Sequence, residues 1–183
     1  LENFPISGVT AGAFPDLVWA LASIKEAAAS TNCELGLLDR ERTSAIVEAC
    51  KLLRDGHHHD QFVVDMIQGG AGTSTNMNAN EVIANLGLEL MGCKKGDYAT
   101  LSPNEHVNLG QSTNDVYPTA LKIAACLSTQ RLLAAMETLQ LEFIAKAEMF
   151  SDVLKMGRTQ LQDAVPMTLG QEFGAFAHML VED

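Results

Sequence analysis

Three short clusters of hydroxyl and amide side chains are the residues of this sequence best suited to chemistry. They are Thr73-Ser74-Thr75-Asn76, Ser112-Thr113-Asn114 and Thr159-Gln160. Each cluster lies where a turn is predicted to lead into a helix, and the first turn of a helix offers free N–H groups and a partial positive charge. Together with Ser, Thr and Asn donors, such a helix start can bind a carboxylate without any lysine.

The same residue types also have a purely structural role. Ser, Thr and Asn are preferred N-cap residues, because their side-chain oxygens accept a hydrogen bond from a backbone N–H of the first helical turn. Taken one at a time, each cluster is explained by helix capping as well as by anion binding. The residue types therefore leave both interpretations open.

The first two clusters are predicted to be carried by a helical N-terminal region. A helix from Phe14 to Gly36 is followed by a second one, which Asp39 caps and Gly56 ends. A third helix is predicted from about Thr73 to Met91, after a glycine-rich turn. The polar stretch from Lys94 to Gln111 is long enough to suggest that it lines a site.

A long helix is predicted from about Asn114 to Phe150, with Pro118 in its first turn. At 1.5 Å per residue it would span about 55 Å, so its apolar face needs partners of similar length. A short extended or turn segment follows from Val153 to Gln162, and a last helix starts near Pro166 to Thr168. That helix has no glycine or basic residue at its end, so it is expected to continue past Asp183.

The composition favours packed helices. Of the 183 residues, 47% are apolar and only 5% are aromatic, while alanine, leucine and methionine are abundant. The net charge of -11 argues against nucleic acid or an anionic membrane as a partner, since both require clustered basic residues.

Cellular location and redox state are weaker inferences from the same composition. There is neither an apolar run of membrane-spanning length nor an N-terminal signal pattern, so a cytoplasmic location is expected. The four cysteines are far apart and form no CxxC pair, which indicates reduced thiols.

The sequence around the three clusters resembles the signature segments of the aspartase/fumarase superfamily. Residues 68–92 (QGGAGTSTNMNANEVIANLGLELMG) resemble the first segment, residues 102–120 (SPNEHVNLGQSTNDVYPTA) the second, and residues 157–173 (GRTQLQDAVPMTLGQEF) a third. They occur in the superfamily's order, and the similarity covers most of the chain. Fumarases usually have QSSND, and GRTH followed by DATP, so this sequence is more similar to aspartases. It resembles argininosuccinate and adenylosuccinate lyases less.

The resemblance implies a mainly α fold. An N-terminal lyase domain is expected over residues 1–112, and the beginning of a long-helix bundle domain over residues 113–183. It also implies a homotetramer, in which each active site gathers the three signature segments from three different subunits.

The activity implied by the resemblance is reversible anti elimination of ammonia from L-aspartate to give fumarate. A base takes the C3 proton, the adjacent carboxylate accepts the charge as an aci-carboxylate dianion, and the amine leaves. No metal or organic cofactor is needed. The alternatives are a class II fumarase acting on malate and fumarate, and a structural relative without turnover, as in lens crystallins.

Matching positions in the superfamily's motifs supply the expected binding residues. Five of them would bind the carboxylates and amine of the substrate: Thr73, Ser112, Thr113, Asn114 and Thr159. Gln160 occupies the place where many relatives have histidine. Since glutamine cannot titrate, we expect it only to position substrate.

The superfamily's catalytic base is a serine on a glycine-rich loop of the type GSSxMPxKxN, and this chain has no such stretch. No catalytic base is therefore assigned within it, and the 183 residues alone are expected to be inactive.

Other polar residues are expected to play ordinary roles. His57, His58 and His59 are adjacent and cannot all face one metal ion, so no physiological metal site is expected there. Asn104, Glu105 and His106 occupy the place of a second dicarboxylate site in fumarases, but an ordinary loop is the favoured interpretation. Arg158 is expected to brace a local carbonyl or carboxylate rather than to touch substrate.

Overall fold

The computed structural model describes residues 5–67 and 70–182. The chain divides into two compact units, Leu1–Leu127 and Ser128–Asp183. The predicted domain boundary at residues 112 and 113 refers to the domains of the superfamily and stays a prediction.

The described residues are mainly helical, as the composition predicts. The regular elements are α1 (Pro15–Glu34), α2 (Arg40–Arg54), α3 (Thr73–Leu90), α4 (Thr113–Met149), β1 (Leu154–Thr159), β2 (Gln162–Thr168) and α5 (Leu169–Glu182). In this part of the chain, no helix has the length and apolar character needed to cross a membrane. All four cysteines are free in the structure.

The first unit is built on α1, α2 and α3. Pro15 occupies the first turn of α1, and the Asp39 side chain caps α2 by accepting from the Arg42 N–H at 3.0 Å. Apolar side chains from the three helices form one buried core, whose largest members include Leu21, Ile46, Leu53, Ile83 and Leu88. The many alanines in these helices allow the backbones to approach closely.

The predicted helices over residues 14–36, 39–56, 73–91 and 114–150 are confirmed to within two residues at each end. The placement of Pro118 in the first turn of α4 is wrong, because α4 begins at Thr113 and Pro118 is its sixth residue. Proline has no N–H, so Pro118 cannot donate the helical hydrogen bond to the carbonyl of Asn114.

Two antiparallel strands precede the last helix in the second unit. The predicted extended segment from residue 153 is β1, but the second strand was not expected. The last helix, expected to start near Pro166 to Thr168, begins at Leu169, and Pro166 lies in β2, where it pairs with Met156. Thr168 and Gln171 fix this start as a capping box, with reciprocal hydrogen bonds of 3.1 Å and 2.9 Å between side chain and backbone N–H.

Aromatic side chains hold the second unit together. The ring of Phe143 on α4 lies 6.0 Å from that of Phe173 and 5.7 Å from that of Phe176, both on α5. Lys155 of β1 pairs with Glu172 of α5 at 2.6 Å.

Asp65 anchors the chain before α1 to the segment that leads into the glycine-rich turn. Its carboxylate accepts hydrogen bonds from the N–H groups of Ile6, Ser7, Gly8 and Ile67 at 2.8–3.0 Å, and from the Ser7 hydroxyl at 2.8 Å. Burial by itself would raise the pKa of Asp65, but these hydrogen bonds to the ionised form hold that pKa well below its ordinary value of 3.8.

We expect Asp65→Asn to lower the thermal unfolding midpoint near pH 7, because the amide NH2 would face backbone donors. The pKa of Asp65 is lower in the folded chain than in the unfolded chain. The carboxylate therefore contributes fully to stability at pH values above the pKa of the unfolded chain, and this contribution is lost as the pH falls below that pKa. The difference between wild type and variant should therefore narrow below about pH 4. Asp55→Asn, at an exposed aspartate, is the control. A difference that is constant from pH 3 to pH 7 would contradict this role.

Candidate functional site

The starts of α3 and α4 lie side by side, and they bring together two of the three polar clusters. The Asn76 amide, in the first turns of α3, donates to the Thr113 hydroxyl at 3.0 Å. A cleft of about 250 Å³ lies at this junction. Its lining residues are Met66, Gly70, Ala71, Gly72, Asn114, Tyr117 and Pro118, and we call it the α3–α4 cleft.

The glycine turn before α3 passes directly against an aromatic ring of α4. Gly72 is the N-cap of α3 with a φ of 82°, and its carbonyl accepts from the Asn76 N–H at 3.0 Å. A Cβ atom at Gly72 would overlap the ring of Tyr117. A residue without a side chain is required here by the backbone angle and by the neighbouring ring alike.

The second cluster begins α4 and stays accessible. The Ser112 hydroxyl accepts from the Asn114 N–H at 3.2 Å, and the Ser112 carbonyl accepts from the N–H groups of Asp115 and Val116 at 3.1 Å and 3.0 Å. Ser112 therefore helps to cap the helix, as the structural interpretation of this cluster predicts. The side chains of Ser112, Asn114 and Thr73 are exposed, so capping does not bury the donors that a ligand would use.

A buried polar network lies under these two helix starts. The Lys25 ammonium of α1 donates to Asn108 Oδ1 at 2.8 Å and to Gln111 Oε1 at 2.9 Å. The amides of Asn76 and Asn80 on α3 donate to the same Asn108 oxygen at 3.2 Å each. The side chains of Lys25, Asn76 and Asn80 are all fully buried. One amide oxygen thus accepts from three side chains that belong to two helices.

Sequence reasoning singled out Asn76 but missed Lys25, Asn80 and Asn108. The one available signal was a lysine within the apolar stretch ALASIKEAAA of α1. Burial lowers the pKa of Lys25 from 10.5 to about 7, and this effect outweighs the opposite influence of Cys50. Burial, with a further contribution from Glu26, raises the pKa of Cys50 well above its ordinary value.

The third cluster lies in the hairpin of the second unit. Thr159 is the last residue of β1 and pairs with Gln162, and Gln160 is the first residue of the two-residue turn. Both side chains are exposed. Their participation in a site with the first two clusters stays a prediction. Arg158 forms an ion pair with Asp163 at 3.4 Å, in keeping with its expected local role.

The remaining polar residues of interest make local contacts. Ser102 caps a π-helical turn, Pro103–Val107, by accepting from the Glu105 N–H at 3.1 Å, and its own N–H donates to His106 Nδ1 at 2.8 Å. His59 Nε2 lies 2.8 Å from the Leu53 carbonyl oxygen. Within residues 5–67 and 70–182, no group of His, Cys, Asp and Glu side chains is arranged to hold a metal ion.

Comparison with known proteins gives the family. A family model described as "Lyase" matches residues 1–183, and the chain belongs to this lyase family. It is 60% identical over 183 residues to the aspartate ammonia-lyase of Pseudomonas canavaninivorans, and 53% identical over 184 residues to that of Escherichia coli strain K12. All of this chain is covered in both cases, but only 39% and 38% of those proteins. The chain thus spans about two fifths of their length.

Solved structures agree with this assignment. A fumarate lyase:delta crystallin from Brucella melitensis superposes with a TM-score of 0.94 at 55% identity, over 99% of this chain and 42% of that one. A class II fumarase from Schistosoma mansoni superposes with a TM-score of 0.87 at 38% identity, over 99% of this chain and 38% of that one. The predicted membership of the aspartase/fumarase superfamily and the mainly α fold are confirmed.

Two glycine variants test the contact between the glycine turn and α4. Gly70 and Gly72 have nearly equal φ angles of 84° and 82°, but a Cβ atom at Gly70 would meet no atom within 4 Å. Gly70→Ala should lower the free energy of unfolding only by the backbone strain, about 1–2 kcal/mol. Gly72→Ala should cost about 1–3 kcal/mol more, because it also displaces the Tyr117 ring.

Chemical denaturation of both variants measures this difference. Tyr117→Ala in the Gly72→Ala background should recover part of the additional loss. Equal losses in the two single variants would show that the ring does not restrict the turn.

Proposed function

We propose that the protein containing this chain is an aspartate ammonia-lyase, which catalyses the reversible anti elimination of ammonia from L-aspartate to give fumarate. The observation that carries the proposal is the meeting of two helix starts, at Thr73 and at Ser112–Asn114, beside the α3–α4 cleft, which Asn114 lines. The names and the 53–60% identity of the curated relatives support the choice of substrate.

The two helix starts are suited to hold carboxylates. The first turns of α3 and α4 present the positive ends of helix dipoles, and Thr73, Ser112, Thr113 and Asn114 add hydroxyl and amide donors. These donors keep fixed positions through capping and through the Asn76–Thr113 hydrogen bond. Preorganised neutral donors of this kind stabilise charge that develops on a carboxylate during the reaction.

The elimination requires such stabilisation. Removal of the C3 proton by a base moves the electron pair of the C–H bond onto the neighbouring carboxylate, which becomes an aci-carboxylate dianion. When this dianion collapses, the C2–N bond breaks and the amine leaves as ammonia. We propose that Ser112, Thr113 and Asn114 contact the substrate during these steps, and that the base is a serine outside these 183 residues.

Thr159 and Gln160 would complete the site from another subunit of a homotetramer. Thr159 would donate to a substrate carboxylate, and Gln160 would orient the substrate without transferring a proton. Support for an assembly comes from the apolar side chains that α4 leaves exposed in the second unit, namely Leu132, Leu133, Leu139, Leu141 and Ile144. The proposal includes a cytoplasmic location and catalysis without a metal or an organic cofactor.

A class II fumarase is the second candidate. The Schistosoma mansoni structure favours it, because a chain described as a class II fumarase superposes with a TM-score of 0.87. The two candidates differ in the leaving group, which is ammonia for one and water for the other, and they share the same carboxylate-binding requirement.

Turnover by the complete protein tests both candidates. We expect L-aspartate to give a rise in fumarate absorbance, and malate to give a much smaller one. Thr113→Val and Asn114→Ala should each lower kcat/KM for aspartate by about 10²–10³-fold, the usual cost of losing one donor to a developing oxyanion. Thr119→Val, at an exposed threonine of α4 outside the cleft, should leave kcat/KM unchanged.

The possible outcomes separate the proposals. Faster turnover of malate than of aspartate would favour the fumarase. Full activity in the Thr113 and Asn114 variants would remove these residues from the site. Absence of turnover with either substrate would favour a structural relative.

A further inference from the structure

Lys25 has no role in the chemistry described so far, yet it is among the largest fully buried side chains of the described residues. Burying an ammonium group is costly unless charged or polar partners compensate for the lost hydration. Its hydrogen-bond acceptors here are the neutral amide oxygens of Asn108 and Gln111, at 2.8 Å and 2.9 Å. A methionine of similar shape would fill the same space without that cost, so packing alone does not account for a lysine.

Both acceptors lie in the irregular stretch that leads into α4. Residues 108–114, here called the 108–114 segment, comprise this stretch, with Asn108 at its start and Gln111 in the middle, and the first two residues of α4, Thr113 and Asn114, which follow Ser112. Irregular backbone has few ladder hydrogen bonds of its own, so side chains must fix its position. Lys25 holds it from α1, while Asn76 and Asn80 hold it from α3 through the same Asn108 oxygen.

Further contacts carry this restraint toward the cleft. Asn32 of α1 donates to the Leu109 carbonyl at 2.9 Å, and the Gln111 amide donates to the carbonyls of Val107 and Leu109 at 2.9 Å and 3.2 Å. Ser112 follows Gln111 directly in the chain. A displacement of Gln111 is therefore expected to displace Ser112, the first donor of the proposed carboxylate site, because one peptide bond joins the two residues.

We propose that Lys25 is a positioning residue: it fixes the 108–114 segment through Asn108 and Gln111, so that substrate affinity depends on a buried lysine that does not touch substrate. This inference rests on the proposed function, because it assigns substrate contact to Ser112, Thr113 and Asn114. Lys25 itself is fully buried, and its hydrogen bonds among the described residues go to the side-chain amides of Asn108 and Gln111.

The surroundings of Lys25 make its charge state a useful readout. α3 and the 108–114 segment face it with the neutral amides already named. On α2, Cys50 is the titratable group that acts on it, and the Glu26–Arg54 ion pair at 2.9 Å acts on Cys50. Burial lowers the pKa of Lys25 from 10.5 to about 7. Between these two pH values the folded chain therefore holds this proton less readily than the unfolded chain does. The stability of the wild type relative to Lys25→Met should therefore rise as pH increases from about 7 to about 9.

The test uses the complete protein and three variants. Lys25→Met keeps the shape and removes the donors, Gln111→Leu removes one acceptor, and Lys51→Met is the matched control at an exposed lysine of α2. In Lys25→Met we expect KM for L-aspartate to rise by about 10- to 100-fold with a smaller change in kcat, because the donors shift without being removed. Gln111→Leu should act in the same direction, and the double variant should lose less than the sum of the two effects.

Hydrogen exchange followed by mass spectrometry provides a second readout that does not require turnover. In Lys25→Met, amide exchange should become about tenfold faster in peptides covering residues 108–116 and stay unchanged in α2 and in the second unit. Lys51→Met should match the wild type in exchange and in kinetics.

Each outcome decides one question. A folded Lys25→Met protein with wild-type KM and wild-type exchange at residues 108–116 would overturn the proposal. Faster exchange throughout α1, α2 and α3, with a loss of kcat at constant KM, would also overturn it, since this indicates a structural role only. If Lys25→Met does not fold, Gln111→Leu decides by the same measurements. Absence of turnover in the wild type would refute the proposed function, and the exchange data would still decide whether Lys25 positions the segment.

Discussion

The side-chain oxygen of Asn108 is the point on which the geometry of the cleft depends. It accepts from Lys25 on α1 and from Asn76 and Asn80 on α3, so two helices that pack through apolar residues are also tied to one irregular stretch. Apolar packing sets how closely the helices approach, but it is non-directional and tolerates small shifts. Hydrogen bonds at a common acceptor are directional. They fix where α4 begins, and every donor at its first turn takes its position from that point.

A chain with a net charge of -11 repels a dianion at long range, so the proposed dicarboxylate site must act at short range. Helix starts meet this requirement, because their N–H groups act only over the last few ångströms and are independent of the overall charge. They also explain the glycine turn. The backbone before α3 must pass close to Tyr117 to place its N–H groups at the cleft, and only a residue without Cβ fits between them.

Local signals predicted the helices well. Pro15, Asp39 and the glycines after α2 and α3 mark helix ends by mechanisms that act within a few residues, and α1 to α4 agree with the prediction to within two residues. The second strand was missed because Pro166 was taken for a helix start, whereas the capping box of Thr168 and Gln171 marks the true one. Lys25 was missed for a different reason. Its partner Gln111 is 86 residues away in sequence, and no local pattern separates a buried lysine from a solvated one.

The hairpin of the second unit has features that its own stability does not explain. Gln160 and Leu161 both adopt positive φ, at 52° and 63°, where residues other than glycine are strained, and Leu161 is 97% exposed. A glycine at either position would relieve the strain, and burial of the leucine would stabilise the unit. Both costs are understandable if the tip of the hairpin packs against another molecule. The proposed tetramer would provide such a surface, because in the proposed active site Thr159 and Gln160 reach a neighbouring subunit. The same contact would then bury Leu161 and place two polar side chains at the substrate.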